Sequence, residues 1–196
     1  MSPGEIDDSP SPHACARVLT DAFAREPAVS WICGSSATAR RHWFTATLDT
    51  QTALPAARRY TLAGRGGRPV GAAVLTPPAT TPSSIAQARW AARTFTRCGP
   101  RALGRTLRYL HTTEAEVPDG AWTLEFIGMA PAAAGRGGGR RLLDRLLADT
   151  PATAGVFLTT ADPGNVPIYR HFGFDTLRHL TAGPLNITAM HRPATA

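Results

Sequence analysis

The stretch WTLEFIGMAPAAAGRGGGRRLLDRLLAD, Trp122–Asp149, decides the fold. Its first eight residues, Trp122 to Met129, are dense in aromatic and apolar side chains and read as a strand. Ala130 to Gly139 follows as a loop of small residues. Arg140 to Ala148 then sets Leu142, Leu143, Leu146 and Leu147 on the buried side of an amphipathic helix. Strand, glycine loop and helix together form an anion-binding arrangement. The helix start offers unpaired backbone N–H groups and the positive end of its dipole. Gly135, Gly137, Gly138 and Gly139 let the main chain approach an anion without Cβ clashes. Arg136 and Arg140 add guanidinium groups suited to phosphate.

Three loops of this kind compete. A P-loop requires G-x-x-x-x-G-K-[ST], and this sequence contains no lysine. A dinucleotide fingerprint wants G-x-G-x-x-G in an early βαβ unit, with an acidic residue about twenty positions on. Here Arg140 stands where the third glycine belongs, and the loop comes late in the chain. The third is a pyrophosphate loop of the form Q/R-x-x-G-x-G/A, which here reads Ala134-Gly135-Arg136-Gly137-Gly138-Gly139, with alanine in the first position. A flexible turn in a protein with 18 glycines is the remaining reading.

The neighbouring segments favour the third loop. Ile127-Gly128-Met129, with Pro131 after it, resembles the apolar triplet that precedes such a loop in the GNAT superfamily of acetyl-CoA-dependent N-acetyltransferases. Asn165-Val166-Pro167-Ile168-Tyr169-Arg170-His171-Phe172-Gly173-Phe174 resembles that family's N-x-x-x-Y-x-x-x-G-F segment. Order and spacing agree from Trp122 to Phe174. Within the superfamily the similarity is nearest to the puromycin-type N-acetyltransferases and their actinobacterial relatives. It is carried by Ala121–Leu124, Phe157–Thr160 and Thr188–Pro193, and less specifically by Asp21–Phe23, Glu26-Pro27 and Gly71–Val74. The resemblance implies an α/β GNAT fold, a mixed sheet splayed at the acetyl-CoA site, with acetyl-CoA as co-substrate and no metal. It implies that the backbone of Ile127, Gly128 and Met129 pairs with the pantetheine arm, that Gly135 to Arg140 hold the pyrophosphate, and that Asn165 hydrogen-bonds the arm. Asparagine is also a favoured helix N-cap, and the two roles can coexist. The acceptor implied is an amine on a small, antibiotic-like metabolite, in self-resistance or tailoring. A protein or peptide amine is one rival reading; a non-catalytic acyl-CoA-binding regulator is the other.

Acetyl transfer to an amine needs a base near neutral pH and an acid near the leaving sulfur. Backbone N–H groups of a splayed strand can polarise the carbonyl. Tyr169 is the candidate acid: its place in the Asn165–Phe174 segment matches the family's acid tyrosine, and a phenol of pKa about 10 suits a thiol of about 8.5. Its alternative is a ring that merely packs. Glu125 is the candidate base, the only ionisable residue from Trp122 to Met129. In an unbulged strand it shares a face with Thr123, Ile127 and Met129, and burial would raise its pKa into the useful range. A water relay, a grip on the substrate ammonium and a solvent-facing charge are the other readings of Glu125. Puromycin-type relatives carry a glutamate where this chain has Thr159, so a base role there would pass to Glu125. Trp31 and Trp122 are candidates to line an acceptor pocket.

Outward from this core, Ser11–Arg25 and Ala37–Leu54 show helical spacing, the first ended by Glu26-Pro27 and the second by Pro55. Arg59–Ala63 and Pro69–Leu75 read as a hairpin across Gly64–Gly67. Ser84–Arg97 and Arg101–Thr113 are helices broken at Gly99-Pro100. Gly155–Thr160 is a strand and Val166–Phe172 a helix closed by Gly173. Phe174–Leu180 and Leu185–His191 are the last strands. Residues 1–196 read as one domain, with 1–10 flexible and 122–174 the cofactor-binding core.

Composition narrows the function further. No apolar run reaches membrane-span length, and the acidic, Pro/Ser-rich start is no signal peptide, so a cytoplasmic protein is expected. Cys15, Cys33 and Cys98 lack the spacing of a disulfide framework or zinc site. The six histidines show no ligand spacing. The net charge of +7 is spread as scattered arginines without interleaved aromatics, so nucleic acid is not the expected partner. A monomer or homodimer is expected.

Overall fold

A computed structural model describes residues 4–51 and 54–194. The elements run β1 (Ile6–Asp7), α1 (Pro12–Ala22), α2 (Pro27–Cys33), α3 (Ala37–Gln51), β2 (Arg58–Ala63), β3 (Pro69–Thr76), α4 (Ser84–Cys98), α5 (Pro100–Thr113), β4 (Trp122–Met129), α6 (Gly138–Asp149), β5 (Val156–Thr160), α7 (Val166–His171), β6 (Asp175–Ala182) and β7 (Leu185–Arg192). They build one seven-stranded sheet in the order β1-β2-β3-β4-β5-β7-β6. All pairs are antiparallel except β4 with β5. The sheet is mixed, open and flanked by helices, the expected GNAT fold.

Several boundaries differ from the sequence reading. Glu26-Pro27 ends nothing; Pro27 is the first residue of α2 and Glu26 its N-cap, because proline is pre-organised for the first helical turn. Helix α6 begins at Gly138, two residues before the expected start, with Gly137 as N-cap. Of the start read as flexible, Ile6 and Asp7 pair with Leu62 and Thr61, and Arg141 donates to the Gly4 carbonyl at 2.5 Å. The expected end of the second helix runs into residues 52–53, outside the described residues.

The sheet is packed on both faces. On one, α1, α2 and α3 bury Leu19, Val29, Phe44 and Leu48 against Ala72 and Val74. Phe23, Trp43, Phe44 and Phe126 form a set of edge-to-face contacts there, with centroids 5.1 to 6.0 Å apart. On the other face, Leu142, Leu143 and Leu146 of α6 pack on Leu62, Ala73, Leu124 and Leu158. Three contacts seat α5: the Arg105 guanidinium donates to the Trp31 carbonyl (2.6 Å), the Trp43 indole to the Thr106 hydroxyl (2.9 Å), and the Tyr109 and Thr159 hydroxyls meet at 2.9 Å.

Two irregularities position the site. Opposite β3, Val74 pairs with Phe126 but Leu75 pairs with Leu124, so Glu125 is the extra residue of a β-bulge. The bulge reverses the alternation. Leu124 and Ile127 both pack on the α6 side, while Phe126 packs on the α1–α3 side. Glu125 therefore does not share a face with Ile127 and Met129 as an unbulged strand would require. Beside it, β4 and β5 pair only at Trp122–Val156 and Thr123–Phe157, and beyond Thr123 the two strands diverge.

Gly128 lies where the end of α1 presses on β4. A Cβ there would stand 2.8 Å from Ala22 Cβ and 2.9 Å from Phe23 Cε2, contacts that force one element to move. Gly128→Ala is expected to cost about 1–3 kcal/mol, as overpacked cores do. Thermal unfolding checks this, with Tm falling by about 2–4 °C per kcal/mol in a chain of this size.

Candidate functional site

Divergence of β4 from β5 leaves a cleft whose walls come from five elements. On the β4 side, Glu125 is half-buried and its carboxylate accepts a 2.6 Å hydrogen bond from the Thr76 hydroxyl. Dense surroundings push its pKa up, Glu114 adds to the rise and the Thr76 bond opposes it. None of the ion pairs among the described residues involves Glu125.

Tyr169 comes from α7, a short helix closed by glycine. Gly173 takes φ 82°, and the Phe174 N–H returns to the Tyr169 carbonyl at 3.1 Å, a Schellman-type ending. The ring meets Phe174 edge-on at 5.8 Å. Burial pushes the phenol up to about 12, helped by the charges of Glu26 and Asp162 and by Tyr109. It is a weaker acid than its ordinary value suggested. Asn165 does not cap α7 with its side chain. Its amide donates to the Thr160 hydroxyl at 3.3 Å, while Asp162 accepts from the Gly164 N–H at 2.9 Å and holds the turn.

Below the cleft, the glycine loop has the conformation its composition demands. Gly135 and Gly137 take φ 73° and 77°, the left-handed region where side chains strain, with open space where a Cβ would point. Gly138 is required for packing: its Cβ would lie 2.6 Å from Met129 Cε and 2.8 Å from Leu62 Cδ2. The first turn of α6 leaves the N–H groups of Gly138, Gly139 and Arg140 without helical acceptors. Arg136 is exposed; Arg140 lies 5.8 Å over the Phe172 ring and 3.8 Å from Asp144. An open cradle of backbone donors at a helix start, flanked by two arginines, fits a pyrophosphate. The adjoining backbone of Ile127, Gly128 and Met129, unpaired on its β5 side, fits an amide-bearing arm.

Two residues whose side chains act on Tyr169 electrostatically were not site candidates in the sequence. Glu26 caps α2, its Oε2 accepting the Val29 N–H at 2.7 Å; burial pushes its pKa up. The signal was Glu-Pro, readable as a helix start instead of an end. Tyr109 reaches in from α5, and burial and nearby Glu26 and Glu125 push its phenol up to about 12, against the Thr159 hydrogen bond. It lies at helical spacing among leucines and arginines, so nothing local marks it. Trp122 is not at the cleft. It sits at the closed, paired end of β4, with Arg58 4.8 Å over its ring. Trp31 is held between Arg105, at 5.5 Å, and the turn at Gly183.

A family model described as the acetyltransferase (GNAT) family matches residues 25–174. No curated protein matches the chain. Among solved structures, a Corynebacterium glutamicum protein described as histone acetyltransferase HPA2 and related acetyltransferase is similar at 20% identity, covering 100% of this chain and 98% of that one, with a TM-score of 0.75. Arylalkylamine N-acetyltransferase 2 of Aedes aegypti is similar at 10% identity over 97% and 99%, TM-score 0.65. The ribosomal-protein-S18-alanine N-acetyltransferase of Escherichia coli is similar at 14% over 98% and 95%, TM-score 0.56. None of the three is a puromycin-type enzyme. At these identities the structures speak for the fold, and the family match spans well over half of the chain: it belongs to the GNAT family of acetyltransferases, whose general co-substrate is acetyl-CoA.

Proposed function

We propose that the chain transfers acetyl from acetyl-CoA directly to an amine of a small, antibiotic-like metabolite. The observation that carries this reading is Glu125, a half-buried carboxylate on a bulge at the mouth of the β4–β5 cleft, in none of the ion pairs among the described residues. Its surroundings suit a base for an ammonium that must lose a proton before attack. The amine nitrogen then bonds to the acetyl carbonyl carbon, the C–S bond breaks, and the product is an amide and a free thiol. Tyr169 hydrogen-bonds the sulfur as charge develops there and supplies the thiol proton. The loop from Gly135 to Arg140 and the edge of Ile127–Met129 hold the co-substrate, and Asn165 steadies the same arm. A small acceptor is favoured over a polypeptide because Tyr109 ties α5 to Thr159 across the acceptor side, walling a pocket where a peptide would need an open groove.

The first test is calorimetric titration of acetyl-CoA, followed by a free-thiol screen of amine-bearing antibiotics, puromycin included. Micromolar binding with thiol release for some amines is expected; binding with no release for any amine would favour the regulatory reading. Glu125→Gln should lower kcat/KM by about 100-fold or more. The sign of the pH effect is fixed. The base works deprotonated, so activity rises with pH through a pKa above the usual glutamate range, and that acidic limb disappears in the variant. Tyr169→Phe should lower kcat with little change in the KM for acetyl-CoA, and the parent should show no basic limb from Tyr169 below about pH 11, given a phenol near 12. Gly137→Ala should weaken acetyl-CoA binding by about tenfold, since about 1–2 kcal/mol of left-handed strain falls on the loop; calorimetry reads it.

A further inference from the structure

The arginines are scattered along the chain, but the acids are not. Residues 50–113 carry 10 of the 21 arginines and none of the 14 acidic residues. The rest of the chain, with 11 arginines against those 14 acids, is net negative. The net charge of +7 therefore belongs to one segment, and α4 and α5 are its helices. Arg105 is engaged inside the fold, donating to the Trp31 carbonyl, and Arg93 pairs with Asp49 at 2.7 Å. Arg89, Arg97, Arg101 and Arg108 are exposed and take part in none of the ion pairs among the described residues.

The same two helices expose apolar side chains. Along α4, Ile85, Ala88, Ala92 and Phe95 recur at i, i+3, i+7 and i+10, one stripe of a helix, and all four face solvent. Ile85 is 67% exposed and Phe95 52%, and Leu107 on α5 is 49% exposed. A surface helix normally turns such a stripe to the core. Helix α4 does the reverse. Its inward side holds the fully buried Thr94 and the half-buried Trp90, whose indole donates to the Thr47 hydroxyl at 3.2 Å. Arg89, Arg93 and Arg97, four residues apart, border the stripe along one edge. Between α3 and α4 lies a groove of about 430 Å³ lined by His42, Thr45, Arg93, Thr96 and Arg97.

An apolar stripe with an arginine edge fits an anionic partner that also offers apolar contact. A second copy seated face to face would set arginine against arginine. A nucleic acid duplex would take the arginines and leave Ile85, Phe95 and Leu107 in water. A single strand wants aromatic faces for stacking, and Trp90 is turned inward. The stripe runs along the convex side of a helix, which a fluid lipid interface accepts without a matching groove. We propose that α4, with the exposed side of α5, docks on an anionic lipid bilayer. The stripe lies at the boundary of headgroups and acyl chains, and the arginines meet the phosphates. No helix among the described residues is long and apolar enough to cross a membrane, and lying on the surface requires none. The inference is independent of the acetyl acceptor and of the roles given to Glu125 and Tyr169.

The test is co-sedimentation of the full chain with vesicles of phosphatidylcholine alone and of equal parts phosphatidylcholine and phosphatidylglycerol. Binding to the anionic vesicles should exceed binding to the neutral ones by about tenfold or more and weaken as salt rises. Arg89→Glu combined with Arg97→Glu should lower the anionic-vesicle partition coefficient by about 30-fold or more. Arg65→Glu combined with Arg68→Glu, the same charge change in the β2–β3 turn, should alter it by less than about threefold. Ile85→Gln combined with Phe95→Gln, which leaves the charge unchanged, should lower it by about tenfold or more. Cooperative thermal unfolding shows that each variant is folded. Equal pelleting with neutral and anionic vesicles, or none with either, overturns the inference. So does an equal loss from the two glutamate pairs, which would mean attraction of the basic chain as a whole, or no loss from the glutamine pair. A gel shift of duplex or single-stranded DNA that exceeds vesicle binding and falls with Arg89 and Arg97 assigns the face to nucleic acid instead.

Discussion

Pairing between β4 and β5 stops after two residue pairs, and the organisation of the cleft follows from that. A buried strand normally satisfies its N–H and C=O groups on both sides. Past Thr123, β4 keeps β3 on one side and loses β5 on the other. The groups it exposes are too numerous to leave dry, so the gap must admit solvent or a ligand able to pair like a strand. The bulge at Glu125 lies where the strands part. Bulges bend a strand and increase its local twist, which here accompanies the turn of β4 away from β5. The same residue insertion that accompanies the opening also turns a carboxylate into it.

Packing on the two faces keeps the gap from closing. On the α6 face, Met129 fills the space left by Gly71 and Gly138, whose Cβ atoms would stand 2.5 and 2.6 Å from its sulfur and methyl. The helix start and its glycine loop are thereby seated directly below the open edge. On the opposite face, Gly128 lets α1 approach and the Phe23–Phe44–Phe126 contacts fix β4 from above. Helix α5 then spans the acceptor side through Tyr109 and Thr159. Where a glutamate at position 159 would place a third carboxylate in the cleft, threonine gives a hydroxyl that a phenol can share.

The elements legible in the sequence were those with a local signal. Trp122–Met129 coincides with its strand because a run holding the strong β-formers Trp122, Thr123, Phe126 and Ile127 is bounded by a turn and a glycine loop, and Gly173 closes α7 as its composition requires. Boundaries made by partners elsewhere in the chain were not legible. Ile6-Asp7 is a strand only because Leu62 and Thr61 offer it an edge. The bulge was not legible because the alternation in WTLEFIGM lapses at Phe126-Ile127 without marking which residue is extra; it follows from the register imposed by β3, and it reassigned the face of Glu125. Glu26 and Tyr109 escaped for the same reason. Each sits in a segment whose local pattern is complete without it, and the cleft brings them together from positions 26 and 109 of the chain.

Proton affinities in the cleft set the order of events in any transfer there. A phenol near 12 facing a thiol near 8.5 would give up its proton uphill by about 5 kcal/mol. Even to the released thiolate the transfer is uphill, so Tyr169 acts first through a hydrogen bond that strengthens as the sulfur becomes anionic, and it gives up its proton only as part of the overall transfer in which the amine loses one. The raised carboxylate of Glu125 works in the opposite sense. Burial that weakens the phenol as an acid strengthens the glutamate as a base, so one desolvated environment favours removing the amine proton before the sulfur receives one. Cation entry reverses part of this shift: it lowers the proton affinity of both groups, easing donation by Tyr169 and reducing the pull of Glu125.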